Sequence, residues 1–196
     1  VNVRFPQAAV DSEADTVWQP LVADFKERVA ANRSTLLFVN NRRLCEKLTS
    51  MINSGEPKPL AYSHHGSLSR EIREEVERKL KAGELRGIVA TNSLEMGIDI
   101  GALDEVILVQ APKSVSSAVQ RVGRAGHSVG EVSRGTLVPT HSLDFLESAV
   151  LAEGILSQDI EAVHPVRAPL DVLPQLQQLL GELESNAIRW TEAHTE

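Results

Sequence analysis

Apolar positions along the chain alternate between two spacings. Short apolar runs at Thr35-Leu36-Leu37-Phe38-Val39, residues 86–90 and residues 106–110 read as buried strands, the first covered on both faces, and residues 135–139 as a last strand. Between these runs the spacing turns helical. Trp18, Leu21, Val22, Phe25 and Val29 predict a helix of about four turns. Residues 43–52 predict a second helix with Leu44, Leu48, Met51 and Ile52 inward. Ser69 is placed to cap a third, which carries Ile72, Val76 and Leu80 on one stripe and has Gly83 just past its end. A fourth helix is expected over residues 114–124, ended at Gly126, and a fifth over residues 142–155. A short strand at residues 1–4 and a weak one at residues 60–62, after Pro57 and Pro59, complete the pattern.

Strand and helix follow one another through short connections, which calls for right-handed crossovers. The expected fold is therefore α/β: an open parallel sheet with helices on both faces. Chemistry in such sheets collects at the carboxyl ends of the strands. Val39-Asn40, Ala90-Thr91 and Gln110-Ala111 lie at such ends. After His164 the pattern changes, since Pro165, Pro169 and Pro174 interrupt the chain before a leucine-rich stretch ending at Leu183. The expected division is one domain over residues 1–165, then a linker and the start of a following domain, or a tail, over residues 166–196.

Composition narrows the options. Aromatic residues make up 4% of the 196, so the core is expected to be aliphatic. No apolar run approaches the ~20 residues that span a membrane. The single Cys45 excludes an internal disulfide and a cysteine-rich zinc site, and a reducing cytoplasm is the expected setting. The first residue is not Met, so an excised fragment is expected. A net charge of -7 excludes a protein that grips nucleic acid with its whole surface, but leaves room for a basic strip. Arg42, Arg43, Lys113, Arg121, Arg124 and Arg134 fall in or beside the segments that carry candidate chemistry.

Four segments do so. In Gln120-Arg121-Val122-Gly123-Arg124-Ala125-Gly126-His127, two arginines three apart share a helix face. Each guanidinium offers a fixed fork of donors and a permanent charge, suited to a terminal phosphate. Alone, the pair reads first as the solvated, basic end of an ordinary helix; the surrounding segments reverse that preference. Residues 90–99, Ala90-Thr91-Asn92-Ser93-Leu94-Glu95-Met96-Gly97-Ile98-Asp99, put small polar residues at a strand end, able to grip phosphodiester oxygens. Gly97 permits a tight turn, and Asp99 could accept a ribose hydroxyl or orient an arginine; taken alone, a capped turn into a short helix is slightly preferred. His64-His65-Gly66-Ser67-Leu68-Ser69 pairs two histidines without the further ligands of a metal site, so no metal is expected and a capped strand-to-helix turn is preferred. Phe38-Val39-Asn40-Asn41-Arg42-Arg43 leads from a strand into a helix, as a capped loop would.

In order and spacing, these four segments resemble motifs IV, IVa, V and VI of superfamily 2 helicases, over residues 35–140. A finer resemblance is to the large helicase-related (Lhr) family. It rests on residues 64–71, on Pro112-Lys113-Ser114-Val115-Ser116 and on Pro169-Leu170-Asp171-Val172-Leu173. Many superfamily 2 members carry arginine where this chain has His127, and the histidine resembles the Lhr form. The resemblance implies a RecA-like second motor domain of the P-loop NTPase type. It implies that Arg121 and Arg124 contact the γ-phosphate of ATP with Gln120 nearby, and that Gly97 and Asp99 lie on the nucleotide side. Asn40, Arg42, His65, Gly66 and Thr91 would lie on the nucleic-acid side. Implied partners are single-stranded DNA or RNA and duplexes, with a first motor domain and a winged-helix domain of the same protein. Translocation would run 3′ to 5′.

No Gly-x-x-x-x-Gly-Lys-Ser/Thr loop and no Asp-Glu-x-His or Asp-Glu-Ala-Asp segment occurs in the sequence. Those elements cradle phosphates and hold Mg²⁺ in this mechanism. ATP with Mg²⁺ is therefore expected to be held mainly by the first motor domain, and this chain alone is expected to be inactive. A stand-alone binding module is a competing class. A small enzyme with its own phosphate site is another, but it would need a Gly-rich loop after the first strand, which Val39-Asn40-Asn41-Arg42 lacks.

Overall fold

In the computed structural model, which describes residues 1–5, 17–95, 101, 103–125 and 133–162, the strand Thr35–Val39 (β2) is buried along its whole length. It lies inside the sheet, where layers on both faces cover the apolar run of Leu36, Leu37, Phe38 and Val39. The other strands are β1 (Asn2–Val3), β3 (Ala61–His64), β4 (Gly87–Ala90), β5 (Glu105–Val109) and β6 (Gly135–Val138). Their order across the sheet is β1-β6-β5-β2-β4-β3, and every neighbouring pair is parallel. The helices are α1 (Trp18–Ala31), α2 (Arg42–Asn53), α3 (Arg70–Lys81), α4 (Val115–Val122) and α5 (Ser142–Ser157), with a 3₁₀ turn at Asn92–Leu94.

Alternate residues of β2 feed two cores. Leu36 and Phe38 join Val76 and Leu80 of α3, Ala118 and Val122 of α4, and Leu151 of α5 on one face. Leu37 and Val39 join Leu21, Phe25 and Val29 of α1, with Leu44, Leu48 and Ile52 of α2, on the other. The open parallel α/β sheet with helices on both faces is thus the architecture found. Backbone contacts group Val1–Glu161 as one compact unit and Ala162–Glu196 as another. The expected linker and following helix lie outside the described residues.

Three details depart from the sequence pattern. The weak strand falls at Ala61–His64 rather than residues 60–62, because pairing with β4 continues through Ser63 and His64. Ile72 is 52% exposed, so only Val76 and Leu80 of the α3 stripe face the core. α4 stops at Val122, ahead of Arg124, and the chain tightens into i→i−3 bonds from Arg124 N to Arg121 O and Ala125 N to Val122 O. At the close approach of α4 to β6, a Cβ on Gly135 would lie 2.5 Å from a methyl of Val122, so only glycine fits.

Candidate functional site

The chain runs from β2 out to β3, returns through β4, and crosses β2 to reach β5 on its other side. The carboxyl end of β2 is therefore a switch point, where loops to either side part and leave a crevice. Phe38 pairs with both Ala90 and Leu108, so Asn40, Thr91 and Gln110 emerge along one edge. Asn41 caps α2 by accepting from Leu44 N, and Ser114 caps α4 by accepting from Ser117 N. The α4 amides of Val115 and Ser116 also donate to the Glu161 carboxylate at 2.6 and 2.9 Å. Those hydrogen bonds hold the Glu161 carboxyl below its usual range.

Two clusters form on this edge. In the first, Arg121 is buried at 7% exposure, its guanidinium 5.3 Å above the Phe38 ring. Its Nε donates to Glu95 Oε2 at 3.0 Å and its Nη1 to Asn40 Oδ1 at 3.4 Å. Arg124 donates to the backbone oxygen of Glu95 from Nη2 at 2.6 Å and from Nε at 3.1 Å. Ser117 Oγ donates to Glu95 Oε1, and Asn40 Nδ2 to Ala111 O. Gln120 lies exposed on α4. The structure thus brings Arg121, Arg124 and Asn40 together, and adds Glu95, which the sequence presented only as one letter of a longer segment.

The second cluster is centred on the turn between β3 and α3. Arg42 Nη1 donates to Ser67 Oγ at 3.1 Å, while Ser67 N donates to His65 Nδ1 at 3.2 Å. Because His65 Nδ1 accepts, its Nε2 carries the proton toward Glu46 Oε1, 2.6 Å away. Gly66 is exposed beside it, with open space where a side chain would stand. Thr91 is buried, donates its amide to His64 O, and makes no side-chain cap bond.

His64 lies between the clusters at 1% exposure, with Nδ1 2.8 Å from Ser93 Oγ and Nε2 2.9 Å from Glu77 Oε1. Burial pushes its pKa below the usual imidazole value, outweighing Glu77. The neutral ring donates from Nε2 to Glu77, while the Ser93 hydroxyl sits between the ring Nδ1 and the His64 main-chain oxygen, to which it donates at 3.0 Å. The paired histidines thus serve separate carboxylates. Among the described residues, no three His, Cys, Asp or Glu side chains come close enough to hold a metal ion. Gly97 and Asp99 lie outside the described residues, as do Gly126 and His127.

An all-parallel sheet with two arginines converging at its switch point defines a class that comparison with known proteins makes specific. Residues 19–128 match the model of the helicase conserved C-terminal domain, and the chain belongs to that family. Its relatives place it in the Lhr branch of superfamily 2. It is 39% identical to the Lhr helicase/probable uracil glycosylase of Mycolicibacterium smegmatis, over 98% of this chain and 15% of that protein. It is 45% identical to the ATP-dependent helicase Lhr-Core of Sulfolobus acidocaldarius, over 76% of this chain and 18% of that protein. The solved Mycobacterium smegmatis helicase Lhr, bound to ssDNA and AMP-PNP, superposes with a TM-score of 0.82 at 46% identity, covering 90% of this chain and 24% of that one. The chain therefore spans under a quarter of the length of these relatives.

Proposed function

We propose that this chain is the second motor domain of an ATP-dependent helicase, lending Arg121 and Arg124 to ATP bound with Mg²⁺ on a first motor domain. The observation that carries the reading is the convergence of both guanidiniums on Glu95 at the switch point. Two fixed cations there suit the charge that spreads over a γ-phosphoryl group in transfer. Gln120, Gly97 and Asp99 complete the nucleotide side in this proposal. Asn40, Arg42, His65, Gly66 and Thr91 form part of a track for single-stranded DNA or RNA, followed 3′ to 5′ as DNA or DNA–RNA duplexes are separated. The exposed Arg42 and Gly66 support the track, since one offers charge and the other lets a phosphate approach the backbone. Titration of this chain with single-stranded DNA should show binding that weakens steeply with salt and drops on Arg42→Ala.

In this proposal residues 1–165 form the motor domain, and residues 166–196 are a linker and the start of a winged-helix domain, or a tail. The setting is cytoplasmic, where Cys45 stays a thiol.

The test joins this chain to an ATP-binding motor domain and measures turnover with single-stranded nucleic acid. Arg121→Ala or Arg124→Ala is expected to lower turnover by about 10³-fold or more while ATP still binds. Unchanged turnover rejects the finger role. The chain by itself should hydrolyse no ATP, and nucleic-acid-stimulated hydrolysis by a pure sample would sink the reading.

A further inference from the structure

Glu95 meets both arginines, each with a different part of itself. Its carboxylate accepts from Arg121 Nε and from the Ser117 hydroxyl, at 3.0 and 2.9 Å. Its main-chain oxygen accepts twice from Arg124, at 2.6 and 3.1 Å. The Arg121–Glu95 pair is largely withdrawn from water, with side chains 9% and 14% exposed, so losing one partner is felt by the other. The Phe38 ring and Asn40 Oδ1 complete the seat of the guanidinium. Nε and Nη1 of Arg121 are engaged, while Nη2 has no hydrogen-bond partner among the described residues. A long side chain held at three points has surrendered its rotamer freedom before any ligand arrives.

We infer that Glu95 is a positioning residue: its carboxylate fixes Arg121 and its carbonyl fixes Arg124, so that the turn after β4 and both arginines move together. This rests on the finger role proposed above. An ion pair that only stabilises the fold would change melting without changing turnover. A carboxylate that only sequesters Arg121 would slow the motor, and its removal would speed it.

The test uses the complete motor, with this chain joined to its ATP-binding half. Glu95→Gln keeps the shape and loses the charge, whereas Glu95→Asp keeps the charge and withdraws it. With Glu95→Gln, kcat is expected to fall roughly 10- to 100-fold, as a misplaced catalytic group would give. The KM for ATP should stay within about twofold, since ground-state binding is untouched. Glu95→Asp should recover part of the loss. The double variant with Arg121→Ala should be no slower than Arg121→Ala alone, because the carboxylate acts through that arginine. Unchanged or raised kcat in Glu95→Gln overturns the inference, as does a multiplicative loss in the double variant. Failure of both Glu95 variants to melt cooperatively assigns the residue to the fold and also overturns it. If Arg121→Ala retains full turnover, the finger reading itself fails; if only Glu95→Gln does, the positioning role alone is lost.

Discussion

At His64, desolvation outweighs the neighbouring Glu77 carboxylate, while Arg73 and His65 also press the ring toward neutrality. An unfolded chain protonates this imidazole near pH 6.5, before the folded chain does. The stability it contributes is complete above that pH and is lost as pH falls through the lower folded pKa. The denaturant midpoint should therefore drop between pH 7.5 and pH 5.5, and His64→Gln should shrink that drop; a His64→Gln protein with the same pH dependence refutes the assignment. Cys45 is the opposite case. Burial raises its thiol to about 11, and its Sγ donates to Val89 O. Alkylation at neutral pH should track the small population of opened chain, and mild denaturant should accelerate it; rapid alkylation of the folded protein would contradict the burial. The sequence located Arg121 and Arg124 because arginine spacing on a helix is local. It could not show Glu95 as their seat, because that contact joins segments brought together only by the β4 and β5 crossover.

Elements followed the periodicity wherever burial was two-sided. β2 occupies the expected residues because nothing polar interrupts its run. β3 hid its length, since buried His64 and half-buried Ser63 look polar although they pair with β4. α4 ends earlier than its pattern because the tight turn after Val122 brings Arg124 back toward Glu95. Gly135→Ala should destabilise by about 1–3 kcal/mol, as overpacking does. It should also disturb the neighbouring Arg121, so a thermal melt paired with turnover in the joined motor checks both effects. Asp144, 2% exposed, ties two carboxyl-edge loops by accepting from Ala111 N at 2.7 Å and Thr140 N at 2.6 Å. Asp144→Ala leaves both amides without that acceptor and should cost about 1–3 kcal/mol in chemical denaturation. A loss near zero would mean that the loops are held otherwise.

For the whole molecule, the α/β class was legible because strand and helix periods are written in neighbouring residues. The strand order was not, since no local pattern says that β5 and β4 flank β2. That order brings Asn40 beside Arg121, although the sequence grouped Asn40 with Arg42. One further pairing, at a single edge of the sheet, joins strands that lie far apart along the chain. Asn2 pairs with Thr136, and Arg4 N donates to Leu137 O at 2.8 Å. Closing so long a loop is slow relative to forming local contacts, and β1 contributes little buried surface to hasten it. The inner strands can assemble without β1, so this edge should dock last and open first. Amides of residues 3 and 4 should accordingly exchange well before those of β2, and equal protection would contradict that order. Each opening leaves β6 as a bare sheet edge, the kind of surface that recruits other chains. The lifetime of the β1–β6 pairing, more than the depth of the core, would then set how long the protein survives at high concentration.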